Sequence, residues 1–242
     1  MVDRNLTTID GYPSEGRATR AILRFAKNLS ERSTRSERRG IIFGKKPLQP
    51  EEVDIGFKPE AFTRHNLVRP LLNAAGLEYQ PEPRGGEQQE TYPDFLITNT
   101  DVEIIGEVKP VNRIFEGKEQ LRSYLSTGAF DASYGILTDG IEWRIYTSVG
   151  THDFSGVSQA SNSVSLRDTL KSLAYEEELI QMDPGRATRA RELNKIDEFL
   201  HTFHKERLNT WILYQLPEDE KRAFLDETGG SQFALDDFSV GE

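Results

Sequence analysis

The 242-residue sequence predicts an α/β fold in which a mixed β-sheet is flanked by helices. Three observations support this fold class. Apolar residues recur at helical spacing from residue 59, short apolar runs typical of buried strands begin at residue 92, and a second helical segment separates those runs. Because helices alternate with strands, a sheet covered by helices would bury the apolar surfaces of both.

The N-terminal part, residues 1–54, is predicted to be a basic helical extension. Residues 14–46 hold ten Lys or Arg and three acids, and a helix is expected over residues 14–39 with Ser14 as its N-cap. The apolar stripe of this helix consists of Ala21, Ile22, Phe25 and Leu29. Residues 30–39 contain no apolar side chain, so two interpretations stay open: a solvated helix end or loop, or an arm that contacts phosphates.

The clearest amphipathic helix is predicted over residues 59–75. Pro59 suits a first helical turn, Glu60 carries the charge favoured at a helix start, and Gly76 is a suitable end. The apolar positions near i, i+3, i+4 spacing are Phe62, Leu67, Val68, Leu71 and Leu72. A short extended piece is expected at residues 77–80.

Four strands are then predicted, over residues 92–98, 102–109, 134–138 and 141–148. A helix over residues 116–129 separates the second strand from the third. The Asp139-Gly140 pair signals a tight hairpin between the third and fourth strands. These elements define a core over residues 55–150.

The remaining residues, 151–242, are predicted to form a helical region with an acidic tail. A polar loop is expected over residues 151–163, followed by helices over residues 166–180 and 187–214. The tail begins at Pro217 and holds eight acids against two bases.

Composition excludes some classes of protein. A formal net charge of −10 argues against a uniformly cationic nucleic-acid-binding surface, although not against a local one. The absence of cysteine excludes disulfides and thiolate metal sites. No apolar run approaches the roughly 18–20 residues that span a bilayer, and the N-terminus lacks the apolar core of a signal peptide, so we expect a cytoplasmic protein without membrane contacts.

The residues with the most chemical information are Asp94, Glu107 and Lys109. Side chains alternate faces along a strand, so Glu107 and Lys109 share a face, and Asp94 opens the preceding strand. A short turn between antiparallel strands would bring Asp94 beside Glu107. Two converging carboxylates form an oxygen site suited to Mg²⁺, and the adjacent lysine can orient water or stabilise an anion. This set can hydrolyse a phosphodiester with the help of a metal.

A Glu-x-Lys pair alone is usually an ion pair on a solvated strand and stabilises by only about 0–1 kcal/mol. The residues around this pair indicate that it has a function beyond an ordinary ion pair. Ile104, Ile105 and Val108 make its strand apolar, and burying charged groups in such a strand is costly without a function.

The pattern Pro93-Asp94 followed by Glu107-Val108-Lys109 resembles the PD-(D/E)xK nuclease superfamily. The segment from Pro59 to Gly76 is similar to the opening helix of the N-terminal nuclease domain of type I restriction (HsdR-like) subunits. Gln120-Leu-Arg-Ser-Tyr124 resembles the Gln-x-x-x-Tyr element of that group and of RecB-like nucleases, and residues 135–143 look like its closing strand-turn-strand. The resemblance covers residues 58–148 and implies a restriction-endonuclease-like core.

The resemblance also implies roles for single residues. Asp94 and Glu107 would be metal ligands, with the Val108 carbonyl as a possible third and Glu60 reaching the metal from the first helix. Lys109 would be the catalytic lysine, and Gln120 and Tyr124 would face the scissile phosphate or orient the lysine. The ordinary alternatives are a favourable helix-start charge for Glu60 and a solvent-facing and packing pair for Gln120 and Tyr124.

The expected function is therefore a Mg²⁺- or Mn²⁺-dependent nuclease that acts on DNA in restriction-modification or defence. The alternatives are a catalytically silent domain that binds DNA or assembles with a restriction complex, and a nuclease acting on RNA or in repair. Type I restriction subunits continue into an ATP-driven motor that does not fit in 242 residues. We therefore expect an isolated module, a fragment, or a protein whose motor or specificity subunit is separate, and a homodimer would provide the two sites of double-strand cleavage.

Overall fold

A computed structural model describes residues 13–49, 58–83, 92–127, 130, 132–148 and 158–215. Within these residues, six strands form one sheet in the order β1-β2-β3-β4-β5-β6. The strands are β1 (Tyr79–Pro81), β2 (Phe95–Ile97), β3 (Ile104–Val108), β4 (Tyr134–Thr138), β5 (Glu142–Thr147) and β6 (Ser158–Ser165).

The sheet is mixed because β3 and β4 pair in parallel while the other neighbours pair antiparallel. A parallel pair requires a crossover, and α5 (Lys118–Thr127) with a preceding 3₁₀ turn (Ile114–Gly117) provides it. The α/β fold with a mixed sheet flanked by helices is confirmed, and its architecture is consistent with a restriction-endonuclease-like core.

Helices cover both faces of the sheet. On one face, α1 (Ser14–Arg32), α6 (Arg167–Glu176) and α8 (Ile196–Phe203) belong to a large apolar cluster that includes Ile104 and Val108 of β3. On the other face, α5 packs on a smaller cluster that includes Ile105. Since side chains alternate along β3, Glu107 shares the face of Ile105 and lies toward α5.

The predicted helix from residue 59 to 75 consists of α3 (Pro59–Thr63), a π turn (Arg64–Val68) and α4 (Arg69–Ala74). In the π turn the Arg69 N–H donates to the Arg64 carbonyl. Pro70 follows immediately, and its ring and missing N–H are incompatible with a regular helical turn at that point. The wider turn accommodates this proline within an otherwise continuous helix.

The single helix predicted over residues 14–39 is wrong. The chain leaves α1 at Ser33, which is extended, and starts again as α2 (Arg35–Ile42). Thr34 and Glu37 form a capping box, since the Thr34 side chain accepts from the Glu37 N–H and the Glu37 carboxylate from the Thr34 N–H. Ser14 is also not an N-cap; it is the first residue of α1.

The polar loop predicted over residues 151–163 is wrong for residues 158–163, which belong to β6; residues 151–157 lie outside the described part. Strand β6 has few apolar side chains and is held by backbone pairing with β5. Its Val164 is buried. An edge strand with few apolar residues leaves little apolar periodicity in the sequence.

The C-terminal helices are shorter than predicted. Helix α6 ends at Glu176, and the helix predicted over residues 187–214 is divided into α7 (Pro184–Glu192), α8 and α9 (Lys205–Gln215). Asn194 separates α7 from α8, and its Oδ1 accepts from the Ile196 N–H at 3.0 Å. Side chains of this kind compete with helix formation by bonding the backbone locally.

The predicted acidic tail from residue 217 lies outside the described residues. The division at residues 54 and 150 stays a prediction, although β6 extends the sheet beyond residue 150. No helix in the described part of the chain is both long and apolar enough to span a membrane.

Candidate active site

Asp94 lies where β2 begins and is tied to β3 by two hydrogen bonds. Its N–H donates to the Gly106 carbonyl at 2.9 Å, and its Oδ2 accepts from the Val108 N–H at 2.8 Å. Phe95 pairs with Gly106, so extending the register by one residue sets Asp94 opposite Glu107. The sequence-based expectation that these carboxylates lie side by side agrees with this geometry.

Gly106 of β3 leaves room for the Phe95 ring of β2. A Cβ atom at this position would lie 2.0 Å from Cζ of the Phe95 ring. No other residue type fits there unless the ring moves. The absence of a side chain at residue 106 thus lets the Phe95 ring, next to Asp94 in the chain, lie against β3.

Lys109 is held between Glu107 and α5. Its Nζ donates to Glu107 Oε1 at 2.6 Å and to Gln120 Oε1 at 3.0 Å. Gln120 Nε2 donates in turn to the Tyr124 hydroxyl at 2.7 Å, and that hydroxyl donates to the Tyr92 carbonyl at 2.9 Å. A continuous hydrogen-bonded chain therefore joins the start of β2, α5 and the end of β3.

Glu60 of α3 and Arg64 of the π turn that follows it approach the same cluster. Glu60 Oε2 lies 3.9 Å from Lys109 Nζ, with 41% of its side chain exposed. The Arg64 guanidinium contacts Asp94 Oδ1 at 3.0 Å and Glu82 Oε1 at 3.1 Å. Glu60 is thus at the edge of the cluster, while Arg64 pairs directly with a predicted metal ligand.

The carboxylates carry raised pKa values because they are buried near one another. Burial, with the charge of Asp94 as a second cause, raises the pKa of Glu107 to about 8. Burial also raises the pKa of Asp94 and of Glu60. Burial alone would lower the pKa of Lys109, but the hydrogen bond to Glu107 and the charges of Glu107, Glu60 and Asp94 together outweigh it and raise that pKa. Such a cluster favours binding of an additional cation, which would offset the unfavourable negative charge.

The donor set fits a hard divalent cation through two carboxylates. Glu107 Oε2 is buried and has no hydrogen-bond partner, so it offers an oxygen ligand beside Asp94. In the described part of the chain, no group of three or more His, Asp or Glu side chains is arranged to hold a metal. Mg²⁺ commonly binds one or two carboxylates and takes its other ligands from water and phosphate.

The structure brings Asp94, Glu107, Lys109, Gln120 and Tyr124 together, with Glu60 at the periphery. Val108 contributes its N–H to Asp94; a ligand role for its carbonyl stays a prediction. Arg64 was not assigned a role from the sequence. Its position four residues after Glu60, on the same side of a helix, was the available signal.

Comparison with known proteins gives one relevant similarity. The chain is similar to a protein of Methanocaldococcus jannaschii named "Putative type II restriction enzyme and methyltransferase", with 30% identity over 97 residues. The aligned segment is 36% of this chain and 8% of that protein, so this chain spans a small part of the relative's length. This similarity supports a relationship to restriction enzymes. No protein-family model matches the chain, and no solved structure matches it.

Proposed function

We propose that this chain is a metal-dependent nuclease that hydrolyses DNA phosphodiester bonds and belongs to the PD-(D/E)xK type. One observation carries the proposal: Lys109 is held by Glu107 and Gln120 directly beside a buried carboxylate oxygen with no hydrogen-bond partner. A largely covered lysine, with 12% of its side chain exposed, that is bonded to a buried carboxylate at a strand end is expensive to maintain as a purely structural feature.

Each side chain of the site has a separate role in this proposal. Asp94 and Glu107 would hold Mg²⁺ or Mn²⁺, which when bound polarises the phosphoryl oxygen and acidifies water. Lys109 uses two of its three Nζ protons on Glu107 and Gln120, and the third would contact the attacking water or a phosphate oxygen. Gln120 and Tyr124 fix the position of that ammonium group, and Glu60 contributes negative charge at its outer side.

The biological setting we propose is restriction-modification or antiviral defence. Support comes from the similarity to the named restriction enzyme and methyltransferase. A type I-like organisation, in which a separate motor or specificity subunit delivers DNA to this module, and a homodimer that cuts both strands are parts of the same proposal. DNA is the substrate it requires.

The test is cleavage of plasmid and linear DNA in Mg²⁺, Mn²⁺ or EDTA. Asp94→Ala and Lys109→Ala should abolish the cation-dependent cleavage that the parent chain performs. Glu103→Ala is the matched control, because Glu103 is exposed and lies at the opposite end of the β3 strand segment from Lys109. Equal nicking by the parent, Asp94→Ala and Lys109→Ala proteins would contradict the assignment.

A second candidate function is a silent nuclease-fold module that binds DNA or assembles with a restriction complex. Both carboxylate oxygens of Asp94 already have partners, and this favours the alternative. Arg64 donates to Oδ1 and the Val108 N–H donates to Oδ2. In such a module Arg64 would take the place of the cation. The two functions differ in one measurement: Mn²⁺ binding that depends on Asp94 and Glu107 belongs only to the nuclease.

A further inference from the structure

We propose that Phe115 and Arg144 form a binding site for an unpaired nucleotide of the DNA beside the candidate active site. The Phe115 ring would stack on the base, and Arg144 would contact the neighbouring phosphate. The inference rests on the proposed nuclease function and adds to it a preference for DNA with single-stranded nucleotides.

Phe115 is an unusually exposed aromatic residue. It lies in the 3₁₀ turn Ile114–Gly117 between β3 and α5, and 76% of its surface is exposed. The turn itself is anchored, since Ile114 and Gly117 are buried. A fixed turn that presents a large apolar ring to solvent is costly unless the ring has a partner.

The turn is in direct contact with the catalytic lysine. A Cβ atom on Gly117 would lie 2.9 Å from Cε of Lys109 and 2.5 Å from Cδ1 of Leu137. Phe115 lies two residues earlier in the same turn. In our proposal, a DNA strand bound at Lys109 would therefore extend to this ring.

Arg144 is placed by the sheet register. Glu107 pairs with Leu137 on β4, and Leu137 pairs with Arg144 on β5, so the three side chains form a row on the α5 face. Neighbouring strands are about 4.8 Å apart, which puts Arg144 roughly 10 Å from Glu107. A distance of roughly 10 Å corresponds to about three nucleotides at the 3.4 Å spacing of stacked bases.

The guanidinium of Arg144 lies over the Phe115 ring, with its Cζ 4.9 Å from the ring centroid. This contact covers one side of the ring and leaves most of its surface to solvent, as the 76% exposure records. Stacking of a base on an aromatic ring beside an arginine is the common mode of binding single-stranded nucleic acid.

Local charge favours a polyanion over other partners. Around the ring, Arg113 pairs with Glu116 and Arg122 with Glu119. Among the described residues, neither Lys118 nor Arg144 forms an ion pair with a carboxylate, and the nearby Glu142 accepts from the Ser165 hydroxyl. In the described part of the chain, Arg144 thus contacts the exposed ring without a carboxylate partner, and Lys118 follows Phe115 by three residues, in a chain of net charge −10.

An unpaired nucleotide fits better than a blunt duplex. Inside a duplex each base is stacked between its neighbours, so its faces are not accessible to a side chain, and only the outer face of each terminal pair is open. At a single-stranded extension the last bases are exposed and can stack on the ring. The ring therefore distinguishes DNA that carries unpaired nucleotides from fully paired DNA.

The test compares DNA binding by fluorescence anisotropy in EDTA, which prevents cation-dependent cleavage. The probes are a blunt duplex and the same duplex with an unpaired extension. The variants are Phe115→Ala, Phe115→Leu, Phe115→Trp and Arg144→Ala. Tyr214→Ala is the matched control, an exposed aromatic residue on α9.

Phe115→Ala and Phe115→Leu should weaken binding of the extended duplex by roughly 5- to 150-fold, the usual value of one stacked base, while Phe115→Trp retains it. Binding of the blunt duplex should change little. Arg144→Ala should weaken binding and reduce the slope of log K against log salt by about one. Full affinity in Phe115→Leu, equal losses on both probes, or no DNA binding by the parent chain would overturn the proposal.

Cleavage in Mn²⁺ separates this inference from the proposed nuclease function. If the parent chain cleaves DNA and Phe115→Ala binds both probes normally, the nucleotide site is wrong and the nuclease assignment stands. If Phe115 governs binding of the extension but the parent chain does not cleave, the nucleotide site stands and the cleavage assignment fails.

Discussion

The Glu107 carboxyl should make the unfolding free energy of the metal-free protein fall as pH rises. Its ordinary pKa is 4.5, and burial raises the folded-state value to about 8. Between these values the folded chain holds a proton that the unfolded chain has released. Stability is therefore greatest below the unfolded-state pKa and decreases as pH rises through the folded-state value.

The size of the effect follows from the difference between the two pKa values. One pKa unit is worth about 1.36 kcal/mol, so the upper bound for Glu107 is roughly 5 kcal/mol. The Glu107 side chain is only 2% exposed, so solvent screens this effect little. Lys109 does not titrate in this range, because its pKa is raised above its ordinary value.

Urea unfolding in EDTA at a series of pH values measures this directly. Glu107→Gln should reduce the fall of stability between pH 4.5 and about 8, while the part that remains comes from Asp94, Glu60 and Asp139, whose pKa values burial also raises. Glu103→Gln, which changes an exposed acid before the same strand, should keep the parental profile. Added Mn²⁺ should stabilise the parent chain more at high pH than at low pH, because cation and proton compete for Glu107. Parallel pH profiles for the parent and Glu107→Gln proteins would refute the reasoning.

Three further substitutions test the surroundings of the site. Arg64→Ala leaves Asp94 without its 3.0 Å ion pair and should cost about 1–3 kcal/mol of unfolding free energy in EDTA; if added Mn²⁺ recovers none of it, Asp94 is not a cation ligand. Tyr124→Phe removes the hydrogen bond to the Tyr92 carbonyl and should cost about 1 kcal/mol in urea unfolding while slowing DNA cleavage; an unchanged cleavage rate would contradict a positioning role. Gly106→Ala should destabilise by about 1–3 kcal/mol or more in thermal unfolding, because its Cβ would lie 2.0 Å from the Phe95 ring; parental stability would show that this close approach does not matter.

The sequence predicted the central strands well because they are buried on both faces. Residues 134–138 match β4 fully, since an apolar run ends there at the Asp139-Gly140 turn. Gly140 has a φ of 80°, a left-handed conformation that glycine adopts readily. The hairpin loop is longer than a two-residue turn, and Asp139 Oδ1 closes it by accepting from the N–H groups of Ile141 and Glu142.

Elements whose stability comes from the backbone or from single side chains were harder to predict. Strand β6 pairs with β5 through main-chain hydrogen bonds. Main-chain pairing does not require apolar side chains, so the polar sequence of β6 shows no alternation of apolar and polar residues. The capping box at Thr34 was visible in the sequence, but the continuous polar stretch around it favoured a single helix.

The candidate site divides in the same way. The period of two along β3 and the short distance to Asp94 predicted that Asp94, Glu107 and Lys109 lie together, and the i, i+4 spacing predicted that Gln120 and Tyr124 share a helix face. The contact between Arg64 and Asp94 depends on how the α3 segment docks against β2, which no local pattern encodes. Long-range contacts of this kind require the tertiary structure.

Mn²⁺ titration by calorimetry or electron paramagnetic resonance tests the central claim most directly, because it requires neither a motor subunit nor the correct DNA. The parent chain should bind Mn²⁺ more tightly at pH above the Glu107 pKa of about 8 than below it. Asp94→Asn and Glu107→Gln should each weaken binding by at least roughly tenfold, with Glu103→Gln unchanged. Equal Mn²⁺ affinity in all four proteins would contradict a metal-dependent nuclease site at Asp94 and Glu107.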